Sequence, residues 1–114
     1  MSDLKKLPAV FYKTDLGNEP VREWLLSFSK KDRTLIGTDI MTVEFGWPIG
    51  MPVCKPLGHG LYEVRTQLDN RIARVLFSVI DERIVLLHGF IKKTQKTPKA
   101  DKDLALKRKK ETEQ

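Results

Sequence analysis

Cysteine is almost absent from this sequence of 114 residues: there is one, Cys54. A lone thiol forms no internal disulfide framework, which excludes a stapled secreted module. Histidine is nearly as scarce, at two residues, and one thiol with two imidazoles falls short of the usual four-ligand zinc site. Long apolar runs are missing as well. The longest are strand-sized, far below the ~20 residues that span a bilayer. The opening Met-Ser-Asp-Leu-Lys-Lys-Leu-Pro lacks the apolar segment of a signal peptide. The expected location is therefore a reducing cytoplasm, with no membrane partner. No internal repeat, Gly/Ser linker, P-loop, HExxH, paired CxxC or Ser-His-Asp ordering occurs. Nothing in the sequence calls for a cofactor or a metal.

What is present is enough apolar residue, 40%, to build the core of a single domain over 1–114, and 32% charged residues to keep it soluble. The net charge of +6 is unevenly placed. Between Lys92 and Lys110 nine basic residues meet two acidic ones, Asp101 and Asp103, a local +7 that leaves the rest of the chain at −1. The basicity is thus a feature of the last strand's end and of a helix and tail from about residue 98. Such a segment meets polyanions, or it is a solvated helix with a frayed end.

Residues 8–13, apolar and aromatic, predict a first strand with Pro8 at its start. Asn18 and Pro20 predict the start of a helix with Val21, Trp24, Leu25 and Phe28 on one side. Ser29 starts a second helix, with Asp32 as a capping-box-like partner and Gly46-Trp47-Pro48 as its stop. Residues 46–60 hold three prolines and four glycines and read as an irregular loop. Three strands follow, 61–68, 71–80 and 83–91, joined by the tight polar pairs Asp69-Asn70 and Asp81-Glu82. Thr97-Pro98 opens a last helix. The expected fold is α+β: a β-α-α-β-β-β-α order in which the two N-terminal helices pack on a twisted antiparallel sheet as a small sandwich.

A two-residue turn at Asp69-Asn70 sets Arg65 directly opposite Arg74. Like charges opposed on a sheet repel. Two readings follow: an anion held between two guanidiniums, bidentate as a phosphate would be, or neutralisation by Glu63 on the same face. The same register at Asp81-Glu82 puts His88 and Phe90 on the apolar, helix-bearing face with Tyr62, Val64, Ala73, Val75 and Phe77. It puts Gly89 beside the arginines, where a missing side chain would admit a ligand. His88 reads as a core histidine and Cys54 as a bystander. His59, in a Gly-His-Gly turn near Lys55, is exposed enough to bind a ligand or move a proton.

A face rich in Arg and Lys but poor in carboxylates does not suit two-metal nuclease chemistry. It suits cleavage of RNA by its own 2′-hydroxyl, with cations stabilising charge on the phosphate and a lysine of lowered pKa moving a proton. The candidate catalytic residues are Arg65, Arg74, Lys92 and Lys93. The candidate RNA contacts are Lys55, His59, Lys96, Lys99 and Arg108.

Three blocks, Lys55-Pro-Leu-Gly-His-Gly-Leu-Tyr-Glu-Val-Arg65, Arg71-Ile-Ala-Arg-Val-Leu-Phe77 and Leu86-Leu-His-Gly-Phe-Ile-Lys-Lys-Thr-Gln-Lys-Thr-Pro98, resemble the phage-derived Gp49-like, HigB-type branch of the RelE/ParE toxin superfamily. The resemblance covers roughly residues 8–108. It implies a type II toxin with a small RelE-like fold, cutting mRNA in the 30S A site of the ribosome and inhibiting translation. It also implies a cognate helix-turn-helix antitoxin forming a hetero-oligomer with the toxin. It places Arg65, Arg74 and the Lys92-Lys93 segment on the active face. The sequence departs from the pattern where several such nucleases carry a tyrosine or histidine near the end of the sheet; here stand Phe90, Lys92 and Lys93. The alternatives are a ParE-like poison that binds gyrase without nuclease activity, and a non-catalytic nucleic-acid-binding accessory module.

Overall fold

A computed structural model describes residues 6–92 and 96–114. Eight elements follow in order: β1 (Ala9–Phe11), α1 (Pro20–Leu26), α2 (Lys30–Gly46), β2 (Cys54–Gly58), β3 (Leu61–Gln67), β4 (Ile72–Ile80), β5 (Arg83–Lys92) and α3 (Lys99–Glu113). The five strands form one sheet in the order β1-β5-β4-β3-β2. β1 runs parallel to β5, and every other pair is antiparallel. The α+β architecture with two N-terminal helices on the sheet is the one expected from the sequence, with one strand more. That strand, β2, lies inside the Pro/Gly-rich stretch read as irregular loop. Its Pro56 gives no ladder donor, and an edge strand is where a sheet tolerates that.

Local chemistry sets the helix starts. The Ser29 hydroxyl accepts from the Asp32 backbone N–H at 3.2 Å and caps α2. The Asp32 carboxylate, instead of closing a capping box, accepts from Arg71 Nη2 at 2.8 Å. The expected Asn18 cap is likewise not used at α1, whose N-cap is Glu19 without a side-chain bond. Asn18 instead closes the preceding turn, its carbonyl accepting from Thr14 N–H and its N–H donating to the Thr14 hydroxyl. β1 is anchored to α2 through Ala9 N–H, which donates to the buried Glu44 carboxylate at 2.7 Å.

Helices pack on both faces of the sheet. On one, α1 and α2 bury Val21, Leu25, Ile36, Ile40 and Val43 against Val64, Ala73, Val75, Phe77, Ile84 and Leu86. On the other, α3 sets Ala105 and Leu106 against Leu61, Leu76, Ile80, Val85 and Leu87. At ~25 cal/mol per Å² of apolar surface, two such layers supply the main drive to fold.

One irregularity decides what lies on which face. The expected pairing holds from Ile80↔Arg83 to Phe77↔Leu86, but the next pair is Leu76↔His88. Leu87 is the extra residue of a β-bulge, and beyond it every side chain of β5 changes face. His88 and Phe90 therefore leave the α1/α2 core for the arginine face, contrary to the sequence reading. Gly89 makes the opposite move: a Cβ there would stand 2.4 Å from Trp24 Cε3. Its missing side chain admits the α1 tryptophan, not a ligand.

Candidate functional site

The two-residue turn pairs Leu68 N–H with Arg71 C=O, and Arg65 stands opposite Arg74 as the register predicted. Across the sheet, one row reads Lys55, Glu63, Leu76, His88 and the next Arg65, Arg74, Phe90. Of the two readings of the arginine pair, the structure shows neutralisation by Glu63. Glu63 is fully buried, and its Oε1 accepts from Arg74 Nη1 at 2.6 Å and from Arg65 Nε at 3.4 Å. Its Oε2 accepts from the Thr97 hydroxyl at 2.6 Å, which places the start of the C-terminal segment over the arginines.

The two guanidiniums differ in kind. The Arg74 side chain is 4% exposed, and its Nε has no hydrogen-bond partner among the described residues. It is a buried charge held by a buried counter-charge, an arrangement costly to break from either side. The Arg65 side chain keeps 31% of its surface in water. Two arginines against one carboxylate leave a local charge of +1, and Arg65 is the group that offers it to solvent.

The bulge adds residues that the sequence did not reveal. His88 Nε2 lies 2.6 Å from Asp101 Oδ1 in the first turn of α3. A carboxylate accepts only, so the bond puts the proton of the neutral ring on Nε2 and the basic lone pair on Nδ1. Phe90 stacks on the His88 ring, centroids 5.4 Å apart and planes 20° from parallel. The only trace of this in the sequence is the run Ile84-Val85-Leu86-Leu87, four apolar residues without alternation just before the histidine.

The remaining candidates are spread more widely. Lys55 sits opposite Glu63 on β2, half-buried. His59 occupies the tight β2–β3 turn with φ of 57°. It lines, with Thr97, Lys99, Lys102 and Asp103, a cleft of about 420 Å³ between that turn and α3. Lys99 pairs with Asp103 at 2.7 Å, and that carboxylate raises its pKa. Lys96 is exposed. Lys92 closes β5 opposite Ile72, and Lys93 lies outside the described residues. Arg108 stands ~10 Å along α3 from Asp101, at 1.5 Å per residue. Its Nη1 donates to the carbonyl of the bulge residue Leu87 at 2.8 Å, and its guanidinium covers the Tyr12 ring. Tyr12 in turn donates to Glu111 at 2.5 Å. Cys54 is buried, and burial pushes its thiol up to about 11. Such a thiol stays protonated and unreactive.

The family model for phage-derived protein Gp49-like (DUF891) matches residues 23–110. The chain belongs to the Gp49-like family. That family is a RelE/HigB-type toxin family, often with ribonuclease activity, and such toxins have antitoxin partners. The Gp49-like match begins within α1, ends within α3 and takes in every candidate site residue; β1 lies before it. No curated protein matches this sequence. Among the described residues no helix is long and apolar enough to cross a membrane.

Proposed function

We propose that this Gp49-like protein is a single-domain toxin that cleaves mRNA on the ribosome, using the RNA's own 2′-hydroxyl as nucleophile. The observation that carries the reading is the convergence on one sheet face of a solvent-facing Arg65 with the His88–Asp101 pair. Attack of a 2′-hydroxyl on the adjacent phosphorus builds negative charge on the phosphate oxygens; the P–O5′ bond then breaks, leaving a 2′,3′-cyclic phosphate and a 5′-oxygen that takes a proton from solvent. A guanidinium stabilises that charge bidentately. The attacking hydroxyl loses its proton, and a neutral imidazole with its tautomer fixed by a carboxylate suits that transfer. In this scheme Arg65 holds the phosphate, with Lys92 and Lys93 supplying further positive charge. His88 takes the proton, Asp101 orients it, and Arg74 with Glu63 positions Arg65. Lys55, His59, Lys96 and Lys99 border the path of the RNA.

Because the substrate is translated mRNA, the protein acts in the cytoplasm. Its antitoxin is a helix-turn-helix protein bound in a hetero-oligomer. The test is induced expression followed by primer extension on translated messages. Cuts at codon-defined positions, lost in Arg65→Ala, are the expected result. DNA breaks and an SOS response with intact messages would instead identify a gyrase poison and overturn the proposal.

A further inference from the structure

We infer that Arg108 is a positioning residue that holds the β-bulge at Leu87 and so keeps the His88 imidazole on the arginine face. The inference rests on the reading of His88 as the group that takes the proton, and it names the residue that keeps that group in place. Leu87 is fully buried and has no partner in the β4 register. A buried carbonyl left without a donor costs about 1–3 kcal/mol. The Leu87 carbonyl finds its donor on a helix: Arg108 Nη1 at 2.8 Å, in a bond that the positive charge strengthens. The register matters because strand side chains alternate. Without the extra residue, the pairing that runs from Ile80↔Arg83 to Phe77↔Leu86 would continue as Leu76↔Leu87 and return His88 to the α1/α2 face.

α3 grips this point of β5 twice. Asp101 and Arg108 stand about two helical turns apart and so share one face of the helix, with the fully buried Ala105 between them. Asp101 takes the His88 side chain, and Arg108 takes the carbonyl of the residue before it. Arg108 is braced in its turn. Its guanidinium lies over the buried Tyr12 ring, 5.3 Å from the centroid, and Tyr12 donates to Glu111 further along α3. A guanidinium committed to a ring and a carbonyl acts on RNA through the strand that it holds.

The test compares two variants of the full chain. Arg108→Met keeps an apolar stem against Tyr12 but has no donor, and Arg108→Lys keeps a charged donor. The first readout needs no RNA. Long-range proton–nitrogen correlation of the histidine rings is recorded at about pH 8, where a histidine of ordinary pKa, ~6.5, is neutral. It reads which ring nitrogen of His88 carries the proton. The wild type is expected to show the Nε2–H form, with cross-strand contacts between His88 and Leu76. Arg108→Lys keeps both. Arg108→Met loses both, while the His59 ring is unchanged and the Cys54 thiol stays unreactive, so the fold persists. Spectra that are alike for the two variants overturn the inference, because the donor would then not be what holds the bulge. In the wild type itself the Arg108 Nη protons are expected to exchange slowly with water; fast exchange overturns the inference with no altered protein.

The second readout is cutting on ribosomes programmed with mRNA. Misplacing a catalytic group costs about 10²-fold in rate, so Arg108→Met lowers kcat roughly 100-fold with KM little changed, and Arg108→Lys recovers most of the loss. A raised KM at unchanged kcat also overturns the inference, because Arg108 would then be an RNA contact. Wild-type protein that cuts no message removes the RNA reading itself, and the ring spectra still decide whether Arg108 holds the bulge.

Discussion

At the scale of single residues the site is a question of which charges are sealed in and which are offered. Glu63 and Arg74 form the sealed pair. Glu63→Ala leaves Arg74 buried without a counter-charge, and urea unfolding is expected to show a loss of about 3–5 kcal/mol. Arg65→Ala touches a partly exposed pair and costs no more than about 1 kcal/mol, while toxicity on induction is lost. Equal destabilisation by the two variants would contradict the division. A second prediction concerns alkaline pH. Cys54 is raised from its ordinary 9.0 to about 11 by burial, and Tyr12 is raised chiefly by its hydrogen bond to Glu111. In both, the fold favours the protonated form. For the thiol the contribution is complete below about 9 and is lost as pH rises through about 11. The urea midpoint is expected to fall across that window, with a shallower fall in Cys54→Ala. In the native state the same thiol is expected to resist alkylation at neutral pH and to react once the chain is unfolded. The Arg65–Arg74 opposition could be read directly from the sequence, because a two-residue turn fixes register and register fixes neighbours. The fate of the anion site could not: whether Glu63 or a ligand fills it depends on burial, which period-2 patterning does not report.

At the scale of elements, β5 and α3 do most to shape the site. The bulge at Leu87 moves His88 to the arginine face and turns Gly89 toward Trp24. Gly89→Ala forces a methyl group into the tryptophan ring. We expect a loss of about 1–3 kcal/mol, largely relieved in the double variant with Trp24→Leu, where the clashing ring is gone. A double-mutant cycle on thermal or urea unfolding measures that coupling; strict additivity would mean the two side chains do not meet. Arg108 bridges the same two elements through the Leu87 carbonyl. Arg108→Ala is therefore expected to lower stability by about 1.5–3 kcal/mol, the range for a charge-assisted hydrogen bond, before any effect on RNA is seen. The elements legible in the sequence were those whose pattern was regular: the hairpin strands, the Ser29-capped α2 and the Pro98-led α3. β2 was hidden because Pro56 argues against a strand unless the strand is known to be an edge. The bulge was hidden because one inserted residue in an apolar run leaves composition and turn signals unchanged.

At the scale of the whole molecule, the sheet separates two duties. One face, under α1 and α2, is closed core. The other is covered in part by α3, and the proposed site lies beside that helix. The sequence located the charge correctly, but it could not say how much of it faces outward. Lys99 is tied to Asp103, Lys109 to Glu113 and Arg108 to the sheet. Lys107 and Lys110 are exposed on α3. Their joint replacement by Gln is expected to flatten the salt dependence of ribosome binding without moving the cut sites. The logarithmic slope should fall by about 0.7 for each single-strand phosphate that is no longer neutralised. The buried Glu63 lowers that slope in another way. Each RNA phosphate gathers small cations and frees them when a protein cation takes their place, and that release is what a salt titration counts. Arg74 already has its counter-charge built into the chain, so it displaces none. Measured against salt, the arginine pair counts as one cation.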